Sequence, residues 1–230
     1  MANEINTYRY ERKFLVSDLS KYEIEALVKL NPAMFSEIYY ERIVNNIYFD
    51  SLGFHNYYAN VDGLKDRTKC RIRWYGEMLG HIKKPVLELK IKSGLLGRKR
   101  SFPLIPFTVD EHFKIETISE VLKQSQVPGF LEIDLSVLQP SLLNRYTRRY
   151  FQSADRKFRI TIDTNLEYYR INPFGETFLK KTVDTHNVVV ELKYDQDLDH
   201  LAGKISAHFP FRMTKNSKYV VGVQNVNHIW

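Results

Sequence analysis

The chain has 230 residues, 43% of them hydrophobic, so it is long enough to bury a sizeable core. Its formal net charge of +7 favours an anionic partner: nucleic acid, a membrane surface or a phosphate ligand. The single cysteine excludes an internal disulfide and a zinc site built from thiolates, and it suits a reducing compartment. No apolar run approaches the ~20 residues that span a bilayer, and no linker composition divides the chain. We therefore expect one cytoplasmic domain covering residues 1–230.

The first predicted elements are a strand and a helix. Residues Tyr8–Val16 alternate in character as an extended strand does. Ser17 or Asp18 is the expected N-cap of the helix that follows, and Pro32 marks its end. The apolar stripe of this helix consists of Ile24, Leu27 and Val28.

The next predicted strand with a strong pattern is cationic. It follows a strand predicted at residues 42–49 and an aromatic segment at 53–63 that is typical of turns. In Arg67–Gly76 successive residues point to opposite faces, so one face is apolar and the other entirely cationic. The cationic positions are Lys69, Arg71 and Arg73. A single strand of this kind is usually a solvated outer face.

The pattern continues in a predicted hairpin. Its strands are Val86–Lys92 and Arg98–Leu104, joined through the glycine-containing residues 93–97. Cations again stand two residues apart, at Lys90 and Lys92 and at Arg98 and Arg100. Like charges on neighbouring strands destabilise a sheet unless an anion lies between them. Three such strands in succession therefore indicate an anionic ligand.

The second half of the chain is predicted to be mostly antiparallel strand. A helix is expected at residues 109–124, capped by Thr108 or Asp110, and another at 197–208. The strands are expected at residues 142–152, 157–164, 166–171 (with a turn at 172–175) and 188–194, and residues 217–226 form a strand or a helix. About eight strands with helices inserted between them favour an α+β β-barrel or sandwich with peripheral helices.

Two segments with the same pattern indicate a charged interior. Residues 86–90 (VLELK) and 189–193 (VVELK) each put Glu and Lys on one face and apolar residues on the other. Apolar faces packed outward under helices would leave the charges pointing inward. The predicted lumen contains the cations Lys13, Lys69, Arg71, Arg73, Lys90, Arg159 and Lys193, with Glu11, Glu88, Asp163 and Glu191 as the acidic minority. Because buried unpaired cations are costly, such a lumen needs a polyanion, and Glu191 is a candidate to bind a divalent cation that bridges phosphates.

Eight segments in this order resemble the VTC domain of the triphosphate tunnel metalloenzyme superfamily. They are YERKFLV, NNIYFDS, RTKCRIRWYG, LELKIKSG, LNRYTRRYF, RITIDTNLEYYR, VVELKYD and KNSKYVVG. The resemblance implies an antiparallel eight-stranded tunnel barrel that binds ATP and inorganic polyphosphate or triphosphate, with Mn²⁺ or Mg²⁺ as cofactor. It also implies that no nucleic acid is bound, and it allows a membrane-anchored partner subunit.

The resemblance assigns roles to individual residues. Lys13, Arg71 and Arg73 resemble cations that act on the nucleotide phosphates, and Arg145 or Arg148 resembles the arginine at the transferred phosphate. Phosphate binding is expected at Lys69, Lys90, Arg159, Lys193 and Lys218, and metal binding at Glu191 and Glu11. Hydrolytic relatives begin with ExExK, whereas this chain has Arg9 at the first of these positions. That replacement favours a polymerase over a hydrolase.

The expected function is polyphosphate polymerisation, with the γ-phosphoryl group of ATP passing to a growing chain. One alternative is a metal-dependent inorganic tri- or polyphosphatase, and another is a polyphosphate-binding sensor without turnover. A nucleic-acid-binding barrel would instead carry its cations on an outer groove and lose affinity steeply with salt. The P-loop, GxGxxG and GxSxG motifs do not occur in the sequence.

Overall fold

A computed structural model describes residues 9–93, 96–110, 113–128, 135, 137–171, 178 and 180–227. The strands are β1 (Arg9–Val16), β2 (Ser36–Asp50), β3 (Asp66–Tyr75), β4 (Gly80–Ile82), β5 (Val86–Ser93), β6 (Leu96–Pro103), β7 (Phe107–Val109), β8 (Gln139–Gln152), β9 (Arg159–Arg170), β10 (Lys181–Asp184) and β11 (Val188–Asp195). The helices are α1 (Lys21–Leu30), α2 (His55–Val61), α3 (Ile115–Gln124), α4 (Asp199–Ala207) and α5 (Lys218–Asn227), with a 3-10 turn at Gln196–Leu198 before α4.

Eight antiparallel strands form the barrel, in the order β1-β11-β9-β8-β2-β3-β5-β6. The end strands β1 and β6 contact each other, so the two edges of the sheet meet along a seam. Across this seam, Lys90 of β5 donates to both carboxylate oxygens of Glu11 of β1 at 2.7 Å. β10 pairs with β9 outside the ring, and β4 pairs with β7 in a separate sheet. The predicted α+β barrel with peripheral helices is confirmed.

The outer faces of the strands are apolar and are covered by helices. Ile24 and Val28 of α1 and Ala202 of α4 pack on the outer side chains of β1, β9 and β11. On the other side of the barrel, Ile118 and Val121 of α3 pack on β3, β5 and β6. Alternation then directs the charged residues of the same strands inward. None of the helices in the described ranges is long and apolar enough to cross a membrane.

The helix α5 packs into one end of the barrel. Tyr219 and Val223 contact inward-facing residues of β2, β8 and β9, among them Tyr48 and Tyr168. The Tyr219 hydroxyl also donates to buried Asp50 at the end of β2. The end of the chain that the structure describes therefore closes the tunnel on this side.

Two helices begin elsewhere than the sequence predicts. α1 begins after Ser20, rather than at Ser17 or Asp18, because Ser20 and Glu23 form a reciprocal capping box. The segment 53–63 contains α2 instead of turns alone. The first amides of α2 donate to Asp50, at 2.8 Å from Asn56 and 2.9 Å from Tyr57, so a residue outside the segment caps the helix.

Other boundaries also differ from the prediction. α3 begins at Ile115 rather than at 109, because residues 107–109 pair with β4. The strands predicted at 157–164 and 166–171 are one strand, β9, with Asn165 at φ +52° beside a register shift. Residues 218–227 are helical. The turn predicted at 172–175 and the loop residues 94–95 lie outside the described residues.

The hairpin of β5 and β6 is confirmed, but its second strand presents a different residue to the tunnel. Lys99 pairs with Lys90, while Arg100 pairs with Leu89 on the outer face. Arg98 occupies the register position opposite Ile91, and its side chain lies outside what the structure describes. The expectation that Arg100 extends the cationic face is wrong, because the pairing of Lys99 with Lys90 sets the register one residue away from the predicted one.

Substituting the helical Gly222 tests the packing of α5. A Cβ atom there would lie 2.5 Å from Leu142 Cδ2 and 2.6 Å from Tyr168 Cδ1. We expect Gly222→Ala to reduce the free energy of unfolding by about 1–3 kcal/mol. In urea titrations, the matched control Gly203→Ala in α4 should be stabilised by about 0.5–1 kcal/mol, since its Cβ meets nothing closer than 3.8 Å. Equal unfolding midpoints for the two variants would contradict this packing.

Candidate functional site

Alternation along β3 places Lys69, Arg71 and Arg73 inside the barrel, while the apolar residues between them are buried in the outer core. The register with β5 determines what these cations face. Arg71 lies opposite Glu88, an anion. Lys69 lies opposite Lys90, a like charge. Opposite charges therefore face each other across the strand pair at Arg71, whereas like charges face each other at Lys69.

Glu88 is the anion that holds the cations of β3. Its carboxylate accepts from Arg71 Nε at 2.9 Å and Nη2 at 2.6 Å, and from Lys99 Nζ at 2.5 Å. Arg73 Nη1 is 3.6 Å away. Burial opposes ionisation of Glu88, but these cations outweigh it and hold the pKa of the carboxyl below its usual range.

Asp163 of β9 organises a second group. Arg148 of β8 donates to its two oxygens, Nε at 2.5 Å and Nη2 at 2.6 Å, and Lys218 Nζ lies 2.5 Å from the same carboxylate. All three side chains are buried. Burial opposes the charge on Asp163, yet Arg148 and Lys218 hold its pKa below the ordinary value. A bidentate pair of this kind fixes the arginine plane as well as its position.

Glu191 of β11 lies between four cations. Lys193 is 2.8 Å away and Lys13 is 3.2 Å away, while Arg148 and Lys218 are both at 3.7 Å. Burial disfavours the charged carboxylate, but Lys13, Lys193 and Lys218 hold its pKa well below the usual range. Glu191 is therefore ionised at neutral pH.

Two lysines near the seam are poorly compensated. Lys90 contacts Glu11, which is 3.9 Å from Lys13 as well, and burial lowers the pKa of Lys90 to about 8 despite that carboxylate. Lys69 donates to the Ser217 hydroxyl at 2.8 Å. Burial and then the cations Lys13 and Lys90 hold the pKa of Lys69 well below its usual range. At this level positive charge therefore exceeds the negative charge that Glu11 supplies.

Nine cations and four carboxylates form this site, which we call the interior cluster. Its members are Lys13, Lys69, Arg71, Arg73, Lys90, Lys99, Arg148, Lys193 and Lys218, with Glu11, Glu88, Asp163 and Glu191. The positive charges outnumber the negative ones, and this excess favours binding of a polyanionic ligand.

Two residues predicted for the site do not join the interior cluster. Asn144 Oδ1 accepts from Asn46 Nδ2 in the interior, so its neighbour Arg145 is directed to the opposite face of β8. There the Arg145 guanidinium is 3.9 Å from Glu77, and the expectation that it faces the tunnel is wrong. Arg159 begins β9 opposite Lys193 and is exposed, which places it at the rim.

The structure adds two interior residues that were not predicted from the sequence. Lys99 enters through the register of β6. Tyr146 lies between cations: Arg148 Cζ is 5.1 Å and Lys218 Nζ is 4.9 Å from its ring centre, and its hydroxyl accepts from Arg73 at 3.2 Å. These contacts orient the cations. Tyr146 lies two residues before Arg148 on the same strand face, a spacing that identifies it in retrospect.

The interior carboxylates fit a divalent ion only together with a phosphate ligand. Among the described residues, no three Asp, Glu, His or Cys side chains are grouped so that they can hold a metal by themselves. Glu88 and Asp163 are each fixed by an arginine fork. Glu191 and Glu11 remain, and Mg²⁺ is commonly held by one or two carboxylates with substrate phosphates and water.

A family comparison matches the VTC domain model to residues 8–227 of this chain. A relative in Saccharomyces cerevisiae, vacuolar transporter chaperone complex subunit 2, is 27% identical over 202 residues, which is 75% of this chain and 24% of the relative. The chain therefore spans about a quarter of the length of that relative.

Solved structures share the fold at low sequence identity. A candidate adenylate cyclase from Vibrio parahaemolyticus superposes with a TM-score of 0.52 at 12% identity, covering 94% of this chain and 98% of the other. A Hippeastrum protein described as having a dominant triphosphatase activity gives 0.50 at 13% identity and covers 94% of each chain. A Pyrococcus horikoshii OT3 protein gives 0.51 at 14% identity, with 93% and 97% covered.

Acid is expected to destabilise the barrel through Glu88 and Asp163. Their pKa values are depressed in the folded state, so the unfolded chain binds more protons at low pH. The stability they contribute is present above the ordinary carboxyl pKa of ~4 and is lost as the pH falls below it. Urea midpoints measured from pH 7 to pH 3 should fall accordingly.

The variant Asp163→Asn supplies the control. It removes the nearest carboxylate of buried Arg148 and Lys218 and leaves them Glu191 at 3.7 Å, and we expect a loss of about 3–5 kcal/mol at pH 7. Its urea midpoint should also depend less on pH than that of the unaltered chain. An acid-insensitive midpoint in the unaltered chain would contradict the assignment.

Proposed function

The chain belongs to the VTC domain family, and we propose that it is a polyphosphate polymerase that binds ATP and inorganic polyphosphate inside its barrel. The observation that carries the proposal is the uncompensated positive charge of the interior cluster. Lys69 faces Lys90 across the strand pair instead of a carboxylate. A buried site that keeps such cations is built for an anion with several charges.

The shape of the cation row supports a phosphate chain rather than a single phosphate. Arg73, Arg71 and Lys69 stand at alternate positions of one strand, ~7 Å apart. Arginine offers bidentate contacts to phosphate oxygens, and lysine offers a compact charge. A linear triphosphate lying along β3 would meet each of them in turn.

Arg148 is assigned to the transferred γ-phosphoryl group. Its guanidinium is held in one plane by Asp163, and its distance of 3.7 Å from Glu191 places it at the centre of the interior cluster. In this mechanism the β–γ phosphoanhydride bond of ATP breaks as an oxygen of the acceptor chain attacks the γ phosphorus. Fixed cations stabilise the charge that develops on the transferred group and on the leaving ADP, with little reorganisation.

Glu191 and Glu11 are assigned to a divalent ion, Mn²⁺ or Mg²⁺. Both carboxylates have depressed pKa values despite burial, so they are charged at neutral pH and can serve as ligands where a divalent ion displaces the lysines that contact them. When bound, the ion neutralises phosphate oxygens and lowers the cost of bringing them together. Lys13 lies between the two carboxylates, 3.2 Å from one and 3.9 Å from the other, and a phosphate ligand would draw it away.

The cellular setting is part of the proposal. The relative in yeast is a subunit of a complex and is several times longer than this chain. We propose that this domain works on the cytoplasmic side with a membrane-anchored partner that receives the product. The single cysteine, Cys70, is buried, and burial raises the pKa of its thiol to about 12, which suits a structural residue without a reactive role.

A sensor without turnover is the second candidate, favoured by the surroundings of Glu191. Four cations already neutralise this carboxylate, so a divalent ion must displace some of them. A domain that only bound polyphosphate would need no such exchange. Turnover distinguishes the two functions.

The deciding experiment incubates the purified chain with ATP and Mn²⁺ or Mg²⁺, resolves polyphosphate on a gel and quantifies orthophosphate in the same sample. We expect lengthening chains, lost in Glu191→Gln and retained in Glu41→Gln, whose carboxylate pairs with Lys21 at the surface. Orthophosphate without chains would indicate a hydrolase. Saturable binding of tripolyphosphate with neither product would indicate the sensor.

Removing one arginine of the row should impair turnover without unfolding the chain. We expect Arg71→Gln to reduce kcat/KM for ATP by about 10²–10³-fold, because a fixed donor to a developing charge is lost. The exposed Arg156→Gln in the turn before β9 is the matched control. Steady-state kinetics combined with circular dichroism measures both effects, and an unchanged rate in folded Arg71→Gln would remove this residue from the site.

A further inference from the structure

A serine–lysine pair lies inside the barrel at the closed end. Ser217 Oγ and Lys69 Nζ are hydrogen-bond partners at 2.8 Å. A hydroxyl at this distance from an amine has the geometry of a nucleophile and its base. The pair comes from distant parts of the chain, the middle of β3 and the residue before α5.

Capping alone accounts for only part of the position of Ser217. The amide of Val220 donates to its hydroxyl at 3.4 Å, a long contact, and the amide of Val221 donates to its carbonyl at 3.0 Å. Ser217 is thus the N-cap of α5. Lys69 is the shorter and stronger partner of the hydroxyl, and an N-cap does not require it.

The surroundings of Ser217 are strongly positive. Lys13 Nζ donates to the carbonyl of Asn216 at 3.3 Å, and Lys218 follows Ser217 in sequence. The N-terminus of α5 adds its first amides and the positive end of the helix dipole. A phosphoryl group attached to Ser217 would therefore meet donors on several sides.

Lys69 is suited to accept a proton. Burial, and after it the facing cations Lys13, Lys90, Arg67 and Arg71, keep the pKa of its ammonium well below the usual range. Among the described residues, no carboxylate lies within ion-pair distance of Lys69. Because the lowered pKa favours the neutral amine, Lys69 can serve as the base that a serine nucleophile needs.

We propose that Ser217 is a self-phosphorylation site of this chain, with a nucleoside triphosphate as phosphoryl donor and Lys69 as proton acceptor. Ser217 Oγ attacks the γ phosphorus, the bond from that phosphorus to the β–γ bridging oxygen breaks, and the nucleoside diphosphate leaves with the bond electrons. The hydroxyl proton passes to the Lys69 amine. The inference rests on the proposed binding of ATP in the barrel.

The product is stabilised by the residues that surround it. A phosphoserine at a helix N-terminus carries nearly two negative charges and accepts hydrogen bonds from the first amides of the helix. Protonated Lys69 then has the anionic partner that it lacks in the unmodified interior, and Lys13, which already contacts Glu191, gains a second one. The modification occupies the same cations as a phosphate ligand, so the phosphorylated chain binds tripolyphosphate more weakly.

The experiment incubates the whole chain with ATP and Mg²⁺ and, separately, with inorganic tripolyphosphate and Mg²⁺. Intact mass and peptide mapping then locate any added phosphoryl group. We expect one phosphoserine, at Ser217. Ser217→Asn keeps a capping side chain without a hydroxyl and should carry none, whereas Ser206→Ala on the outer helix α4 should be modified as the unaltered chain is.

Lys69→Arg separates the roles of charge and base. It keeps a cation but supplies no proton acceptor, so the rate of modification should fall about 100-fold. An unchanged rate overturns the role of Lys69, and an unmodified Ser217 with both donors overturns the proposal. Polyphosphate formed without phosphoserine would support the polymerase and overturn the modification of Ser217. Phosphoserine formed without polyphosphate would support the modification and contradict the polymerase.

Discussion

Repulsion between like charges inside the barrel is the constraint on which the rest of the structure depends. Lysines and arginines from six strands and from α5 converge where the protein wall screens charge poorly. Buried carboxylates divide them into groups: Glu88 holds Arg71 with Lys99, and Asp163 holds Arg148 with Lys218. The acidic residues fix the positions of the cations that they pair with. The cations without such a partner determine which kind of ligand the interior can bind.

The barrel can tolerate this charged interior because its stability comes from apolar contacts on the outer faces of the strands. Apolar residues on the outer faces of the strands pack beneath α1, α3 and α4 in two separate cores. The free energy of burial there offsets the cost of the charged tunnel. The same alternation that sends Ile72 outward sends Arg71 and Arg73 inward, so core and site are specified by one strand pattern.

Strand periodicity predicted most of the interior, and its failures follow from register. Lys69, Arg71 and Glu191 were predicted correctly as interior residues because period-two alternation needs no knowledge of neighbouring strands. Lys99 was missed because its position depends on the register of the hairpin. Arg145 was misplaced because alternation does not say which face of β8 is the inner one. The hydrogen bond between Asn144 and Asn46 identifies that face in the structure. α2 was missed since its cap, Asp50, lies outside the segment.

The closed end of the barrel explains why Lys69 differs from its neighbours on β3. Arg71 and Arg73 share Glu88, so in the proposed function ligand phosphates would meet groups that are already oriented and paired with a carboxylate. Lys69 has instead a neutral hydroxyl from the segment that enters α5, and Lys90 opposite it. A serine can compensate such a lysine only by becoming an anion. Lys69 therefore lacks an anionic partner, and phosphorylation of Ser217 supplies one as a phosphate placed between Lys69 and Lys13.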